Sequence, residues 1–252
     1  MAILITGASS GIGAAVALRY AAPGVSLSLW GRDAARLAAV AARAREAGAS
    51  VGTVVVDIAD SAEAVRLAEA ADDAEPFDVA ILAAGRGGVR AAGQLTEDAG
   101  EVVLITAVNL AAPAAMASAL AGRMAARGSG RIALIGSTAA FFPLPQAPAY
   151  SASKAGLAVF ASALRLAVKS RGVSVTLVSP GFVDTPMSQG LRTAKPFLIS
   201  ADKAAGLIVA AVQRRTRHVI LPWQFALLPL ISWLVPVFLR DRILLRLDAR
   251  PM

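Results

Sequence analysis

The sequence predicts an α/β protein built on a doubly wound, seven-stranded parallel sheet with helices on both faces. Two observations lead there. Short apolar runs alternate along the 252 residues with longer stretches of helical periodicity. The apolar runs also lack the in–out alternation of a strand with one wet face, so they read as strands buried on both sides, as in parallel sheets. Right-handed crossovers between such strands place helices above and below the sheet.

The strands are expected at 2–5, 25–30, 50–56, 79–83, 130–135, 173–178 and 218–221, and the helices at 12–22, 34–47, 61–74, 97–127, 151–170 and 201–214. Asp33, Ser61, Ser151 and Ser200 stand where N-caps belong, because a short side-chain oxygen there accepts from a free helix N–H. Gly48, Gly128 and Gly172 follow helices where a left-handed residue is wanted. No repeat or linker interrupts the pattern, so residues 1–222 read as one domain and 223–252 as an extension without a core of its own.

Composition narrows the chemistry. Cysteine is absent and His218 is the one histidine. Disulfides, thiol nucleophiles, zinc clusters and Ser-His-Asp chemistry fall away together, and no metal site is expected. Acid/base work is left to Tyr, Lys, Asp, Glu or Ser. Hydrophobic residues make up 56% and mean hydropathy is +0.62, enough for a large core without staples. The net charge of +8 comes without a basic run or an aromatic-rich patch, so no nucleic-acid partner is expected. Met1 leads directly into Ile3-Leu4-Ile5 with no basic leader, which favours a cytoplasmic protein over a secreted one.

The first strand-to-helix turn reads Thr6-Gly7-Ala8-Ser9-Ser10-Gly11-Ile12-Gly13. Gly7 permits the tight turn, Gly11 lets a ligand approach the backbone, and Gly13 lets the helix pack on the strand. A pyrophosphate would then rest on free N–H groups at the helix start, which makes Gly7, Ser9, Ser10, Gly11, Ile12 and Gly13 the expected contacts of a Rossmann-type dinucleotide site. Arg32 closes the second strand, where an acidic residue would favour NAD and an arginine favours the 2′-phosphate of NADP. NADP(H) is therefore expected over NAD(H). Asp57, in Val56-Asp57-Ile58 at the end of the third strand, is placed to bond the adenine amino group. The small residues Ala84 and Gly85 after the fourth strand let the cofactor lie against the backbone. The loop Arg86-Gly87-Gly88-Val89-Arg90 beyond them reads as a mobile, basic, solvated segment, with help in binding an anionic substrate as the alternative.

Tyr150-Ser151-Ala152-Ser153-Lys154 puts a phenol and an amine on one helix face. A free tyrosine titrates at about 10, and a nearby ammonium would lower that value toward a useful acid/base. Lys154 can also hold the nicotinamide ribose. Ser137 ends the fifth strand 13 residues before Tyr150 and can bond a substrate oxygen. Asn109, a poor helix former inside the long fourth helix, can hold a water that links Lys154 to solvent.

With these residues in this order, the chain resembles the short-chain dehydrogenase/reductase family over roughly residues 2–221. The matching positions are the Thr6–Gly13 turn, Asp57, Asn109, Ser137, Tyr150, Lys154 and the run Pro180-Gly181-Phe182-Val183-Asp184-Thr185. The resemblance implies an NADP(H)-dependent oxidoreductase that interconverts a carbonyl and an alcohol. In that scheme Tyr150 is the acid/base, Ser137 positions the carbonyl, Lys154 supports both, and Asn109 completes a proton relay. It also implies that Pro180 and Gly181 line the nicotinamide, with Val183 and Thr185 near its carboxamide. One departure stands out: Leu82-Ala83-Ala84-Gly85 replaces the family's usual Asn-Asn-Ala-Gly, removing an amide side chain that supports strand packing in relatives.

After the last strand the chain continues through an apolar tract with Trp223, Trp233 and the prolines Pro222, Pro229 and Pro236. No charge occurs from Val219 to Leu239, and arginines flank the tract. The prolines argue against a membrane span. The pattern suits a segment in the membrane interface through 223–246, peripheral on the cytoplasmic face of the inner membrane; a fold-back over the substrate mouth or a dimer contact is the competing reading. Either points to a lipophilic small-molecule substrate. Residues 184–198 read as a lid. Helices apolar nearly all round suggest a homodimer or homotetramer. The competing functions are a redox epimerase or dehydratase using the same residues, and a non-enzymatic NADP(H)-binding sensor.

Overall fold

The computed structural model describes residues 1–91, 93–191, 194–227 and 234–246. The strands of the main sheet are β1 (Ala2–Thr6), β2 (Ser26–Gly31), β3 (Ser50–Val55), β4 (Val79–Leu82), β5 (Gly130–Ile135), β6 (Val173–Pro180) and β9 (His218–Leu221). These seven form a single sheet in the order β3-β2-β1-β4-β5-β6-β9. The seven expected strands are all present, and each neighbouring pair is parallel. A small second sheet, β7 (Val183–Asp184) with β8 (Ile199–Ser200), was not anticipated. Strands of two residues carry no readable period.

Strand geometry sends alternate side chains to opposite faces, and both faces are covered. Ile3 and Ile5 of β1 pack with Leu27, Leu29 and Ile81 under α1 (Gly11–Tyr20), α2 (Ala34–Glu46) and α8 (Ala201–Gln213). Leu4 points the other way, with Ala80, Leu82, Ile132 and Leu134, under α3 (Ser61–Ala74), α5 (Ala112–Ala126) and α6 (Pro148–Val168). Edge strand β3 is largely exposed, in contrast to the central strands.

Several boundaries differ from the sequence reading. Asp60, not Ser61, caps α3, its carboxylate accepting from Glu63 N at 3.0 Å. The helix carrying Tyr150 starts at Pro148 rather than Ser151, because proline is favoured in a first helical turn where its missing N–H costs nothing. The expected long helix 97–127 is divided into α4 (Ala99–Thr106), a π-helical turn (Ala107–Ala111) and α5. A single turn of helix, α7 (Pro186–Gln189), lies within the expected lid, its N-terminus closed by Thr185 and Ser188 in a capping box. Asp33 and Ser200 cap as expected, and Gly48, Gly128 and Gly172 all have positive φ.

The strand order reverses between β1 and β4, leaving a crevice at their carboxyl ends, where ligands bind in open α/β sheets. After β9 the chain forms a short 3-10 turn (Trp223–Leu227) and, further on, helix α9 (Val237–Arg246). Trp233 and the expected tail contacts at 228–233 lie outside the described residues. The two described helices long and apolar enough to cross a membrane are 99–126 and 148–171, and both are partly buried against the sheet.

Candidate active site

The crevice is lined first by backbone. Gly7 has φ +67°, and a Cβ there would stand 2.7 Å from Ala84 Cα, so only glycine lets the ends of β1 and β4 close to this distance. Thr6 Oγ1 accepts from Ala84 N at 3.1 Å. That bond ties the fourth strand's end to β1 where the usual asparagine is missing. Helix α1 sits directly on the turn, since a Cβ on Gly13 would be 2.3 Å from Gly7 O. Ser10 occupies the N-cap but its side chain makes no cap hydrogen bond. The first N–H groups of α1 thus open onto the crevice without a side-chain cap, a cradle that fits an anionic pyrophosphate. Across it stands Thr185, whose Cγ2 would be 3.1 Å from a Cβ on Gly11.

At the far end of the crevice, Ser9 Oγ lies against Gly31. Beyond it the Arg32 guanidinium stands 3.8 Å from the Asp57 carboxylate, both about half exposed. Asp57 Oδ1 also accepts from Ala59 N at 3.0 Å, and Ile58 is buried beside it. Arg32 is a half-exposed cation that already shares its charge with Asp57.

Tyr150 and Lys154 face one another one helical turn apart. Lys154 is buried; its Nζ donates to Ile135 O at 2.9 Å and lies 5.8 Å from the Tyr150 ring centroid. The Ser137 side chain lies beside the Tyr150 phenol, and its Oγ accepts from Ala139 N at 3.1 Å. Burial holds the Lys154 amine down to about 8. Burial also raises the Tyr150 phenol above its ordinary value, opposed by the Ser137 hydroxyl. The expectation that Lys154 lowers the tyrosine is thus not met. Desolvation of the phenolate is the larger effect, and the amine turns toward the Ile135 carbonyl and the ring face.

Asn109 sits fully buried in the π-helical turn, which swings its side chain out of the helix toward β4. Its Oδ1 accepts from Arg86 N at 2.8 Å, and its Nδ2 donates to Arg86 O at 2.8 Å and Ser153 Oγ at 3.3 Å. Arg86 in turn makes a forked ion pair with Glu101 at 2.8 Å. The segment after β4 is therefore pinned at its start, not the solvated basic loop the sequence suggested. A Cβ on Gly85 would meet Asn109 Oδ1 at 3.3 Å and Lys154 Nζ at 3.8 Å, so Asn109, Lys154 and the crevice floor converge.

Sequence reasoning missed three supporting residues. Glu97 Oε2 accepts from Ala149 N at 2.8 Å, doing for α6 what Ala147 at the N-cap cannot. Glu101 pairs with Arg86, and Ser153 bridges Asn109 to the Tyr150 carbonyl, donating to it at 2.8 Å. The long-range pairs have no spacing signature in the sequence; Ser153 could have been suspected as a polar residue on the Tyr150–Lys154 face. Among the described residues no group of His, Asp or Glu is arranged to hold a metal.

A phenol, a buried amine and a hydroxyl beside an uncapped helix end at the switch point define an oxidoreductase on a Rossmann-type sheet. The chain belongs to the short chain dehydrogenase family, which it matches over residues 1–196, and it is an enzyme of that family. It is 34% identical over 224 residues to an oxidoreductase of Myxococcus xanthus, covering 88% of each chain. Its fold is similar to a short-chain dehydrogenase from Sphingobium yanoikuyae in complex with NADPH, with TM-score 0.80, 29% identity and 90% of this chain and 89% of that one covered. It is also similar to the bulky-bulky ketone specific alcohol dehydrogenase from Comamonas testosteroni, with TM-score 0.77, 27% identity and coverage of 88% and 86%.

Proposed function

We propose that the protein is an NADP(H)-dependent oxidoreductase that interconverts a carbonyl and an alcohol on an apolar substrate. The observation that carries the reading is the Ser137–Tyr150 hydroxyl pair with the Lys154 amine one turn away, beside the Gly7–Ala84 crevice. Ser137 holds the substrate oxygen. Tyr150 gives that oxygen a proton in reduction and takes it back in oxidation. Lys154, its amine anchored on Ile135 O, would hold the nicotinamide ribose hydroxyls, and the remaining lone pair of Asn109 Oδ1 can accept a water that refills the proton. Gly7, Ser9, Ser10, Gly11, Ile12, Gly13, Ala84, Gly85, Pro180, Gly181, Val183 and Thr185 would hold the dinucleotide, which supplies or accepts the hydride when bound.

Arg32 supports NADP(H) over NAD(H), as does the NADPH carried by the Sphingobium relative. Met187, Phe197 and Leu198, exposed along the segment beyond the crevice, support an apolar substrate. The ketone specificity of the Comamonas enzyme points the same way. The test is a panel of bulky and small ketones with NADPH and NADH. Turnover is expected with NADPH and the bulkier ketones. Tyr150→Phe should lose about 10²–10⁴-fold in kcat, the usual span of a general acid, while keeping NADPH affinity within about threefold. Near-wild-type turnover of the variant would remove the assigned role. Exchange at a carbinol centre without net NADPH consumption would favour an epimerase, and binding without turnover a sensor.

A second reading concerns placement. Trp223, Leu227, Val237, Phe238 and Leu245 are exposed, with Arg240 and Arg242 among them, which supports a cytoplasmic protein resting on an anionic membrane through 223–246. Equal pelleting of the full chain with anionic and neutral vesicles, at the level of no vesicles, would rule this out. Exposed Val159 and Leu166 on α6 support a homodimer or homotetramer, which sedimentation would resolve.

A further inference from the structure

The chain turns back on its own active site after β9, and one side chain makes the contact. Phe225 lies in the 3-10 turn Trp223–Leu227. Its ring covers the backbone of Gly181 so closely that a Cβ there would be 2.3 Å from Cε2 and 2.5 Å from Cδ2. The rings of Phe182 and Phe197 meet it edge-on, with centroids 6.5 Å and 5.7 Å away. Phe182 belongs to the Pro180–Thr185 run that faces the crevice. Phe197 closes the expected lid, shortly before β8. Backbone bonds complete the junction: Gly181 N donates to Leu221 O at 2.6 Å, and Ile199 N to Phe182 O at 3.1 Å. Phe197 has φ +56°, a conformation a bulky residue keeps only when its surroundings hold it.

We propose that Phe225 is a positioning residue: a ring from outside the sheet that sets the Gly181–Phe182 backbone and the closing end of the lid at once. Three features argue for this over incidental packing. Edge-on ring pairs are directional, so Phe225 fixes the orientation of both partners as well as covering them. The contact requires glycine at 181, since any side chain would displace the ring. The ring also joins two segments that otherwise meet through the two-residue strands β7 and β8 and the Ile199–Phe182 bond. Without the ring, the sheet would stay intact and the parts that must hold still when cofactor and substrate enter would loosen. Only the kinetic arm of the test below rests on the reductase reading.

The test uses the full-length chain. Phe225→Ala should raise the Kd for NADPH and the KM for the best ketone by about tenfold, the scale of one strong edge-on ring pair, with kcat at saturation changed by less than about threefold. Phe225→Leu, which keeps an apolar side chain on Gly181, should recover most of the affinity. With no ligand present, exchange of the Ile199 amide, which reads the bond to Phe182 O, should speed up by about tenfold in Phe225→Ala while the amides of β1 and β4 are unchanged. Gly181→Ala should displace the ring and produce the same defect, and the double variant should be no worse than either single one. Unchanged Kd, KM and Ile199 exchange would overturn the proposal, as would additive losses in the double variant. If Phe225→Ala melts too low for kinetics, Phe225→Leu and Gly181→Ala carry the same comparison. If the wild-type chain reduces no ketone, the reductase reading fails, and NADPH affinity with Ile199 exchange still decides the role of Phe225.

Discussion

Asn109 and Arg86 are joined by two opposed hydrogen bonds of equal length: Arg86 N donates to Oδ1, and Nδ2 donates to Arg86 O, both at 2.8 Å. One buried amide thus satisfies both backbone groups of the residue that leads out of the crevice floor. Asn109→Ala strands both groups, each costing about 1–3 kcal/mol when left unpaired. The expected outcome is a loss of about 2–6 kcal/mol in urea unfolding together with lower turnover. Asn109→Asp should be intermediate, because it keeps an acceptor for Arg86 N and loses the donor. Wild-type stability in Asn109→Ala would show that the clamp is dispensable.

Lys154 supplies a pH test with a definite sign. Burial depresses its folded value from 10.5 to about 8, so the folded state disfavours the charged amine. Below about 8 the amine is protonated in folded and unfolded chains, and the penalty is present in full. Between about 8 and 10.5 the unfolded chain binds more of this proton, so stability rises with pH across that window. Lys154→Met removes the group. The stability difference between variant and wild type should therefore be largest below pH 8 and shrink by up to about 3 kcal/mol as pH approaches 10.5. A pH-independent difference in chemical denaturation would contradict the burial described for this amine.

Arg32 provides a test of the proposed nucleotide preference. Its guanidinium lies 3.8 Å from Asp57, and a 2′-phosphate would compete with that carboxylate for it. Arg32→Ala should lower kcat/KM with NADPH by about 10–100-fold, the worth of a hydrogen bond to a charged group, and leave NADH nearly unaffected. Asp57→Asn should strengthen NADPH use slightly by releasing the cation. Equal losses with both cofactors would mean that Arg32 supports the fold at this corner and does not select the nucleotide.

Asp72 tests stability away from the chemistry. Its side chain is fully buried on α3 and accepts from Arg123 Nε and Arg127 Nη1, each at 2.7 Å, and from Phe77 N at 2.8 Å. The arginines hold this carboxyl below its ordinary range despite the opposing effect of burial. Asp72→Ala leaves Arg123 with Asp73, Arg127 with the Phe77 carbonyl and Phe77 N without its acceptor, and should cost about 1–3 kcal/mol while leaving KM for both substrates unchanged in the folded fraction. A thermal melt and steady-state kinetics on the same sample separate the two.

Local chemistry was legible in the sequence, and contacts between distant segments were not. The buried strands announced themselves through apolar runs such as Ala2–Ile5, and the Gly7–Gly13 turn through its spacing after a strand. Tyr150 and Lys154 were readable because one helical turn fixes their relation wherever the helix lies. The break at Ala107–Ala111 was hidden, because the residues on either side are ordinary helix formers and the bulge serves to aim Asn109. Glu97 was invisible for a similar reason: its partner at Ala149 is 52 residues away, and nothing in either neighbourhood encodes the meeting. The reversed effect on Tyr150 was missed because its sign depends on burial, which a spacing rule does not contain. Phe225 lay in a tract that reads as uniformly greasy, and its role comes from the bare backbone at Gly181.

The strand order also has a bearing on how the polypeptide emerges from the ribosome. Four adjacent strands, β3-β2-β1-β4, come from residues up to Leu82, so the nucleotide-holding half of the sheet can pair while β5 is still being synthesised. Tyr150 arrives later, on a helix whose first turn leans on a carboxylate translated well before it. A nascent chain stalled as β5 is completed should already be retained on a nucleotide resin, acquiring its grip on the coenzyme before it has any means of moving a proton.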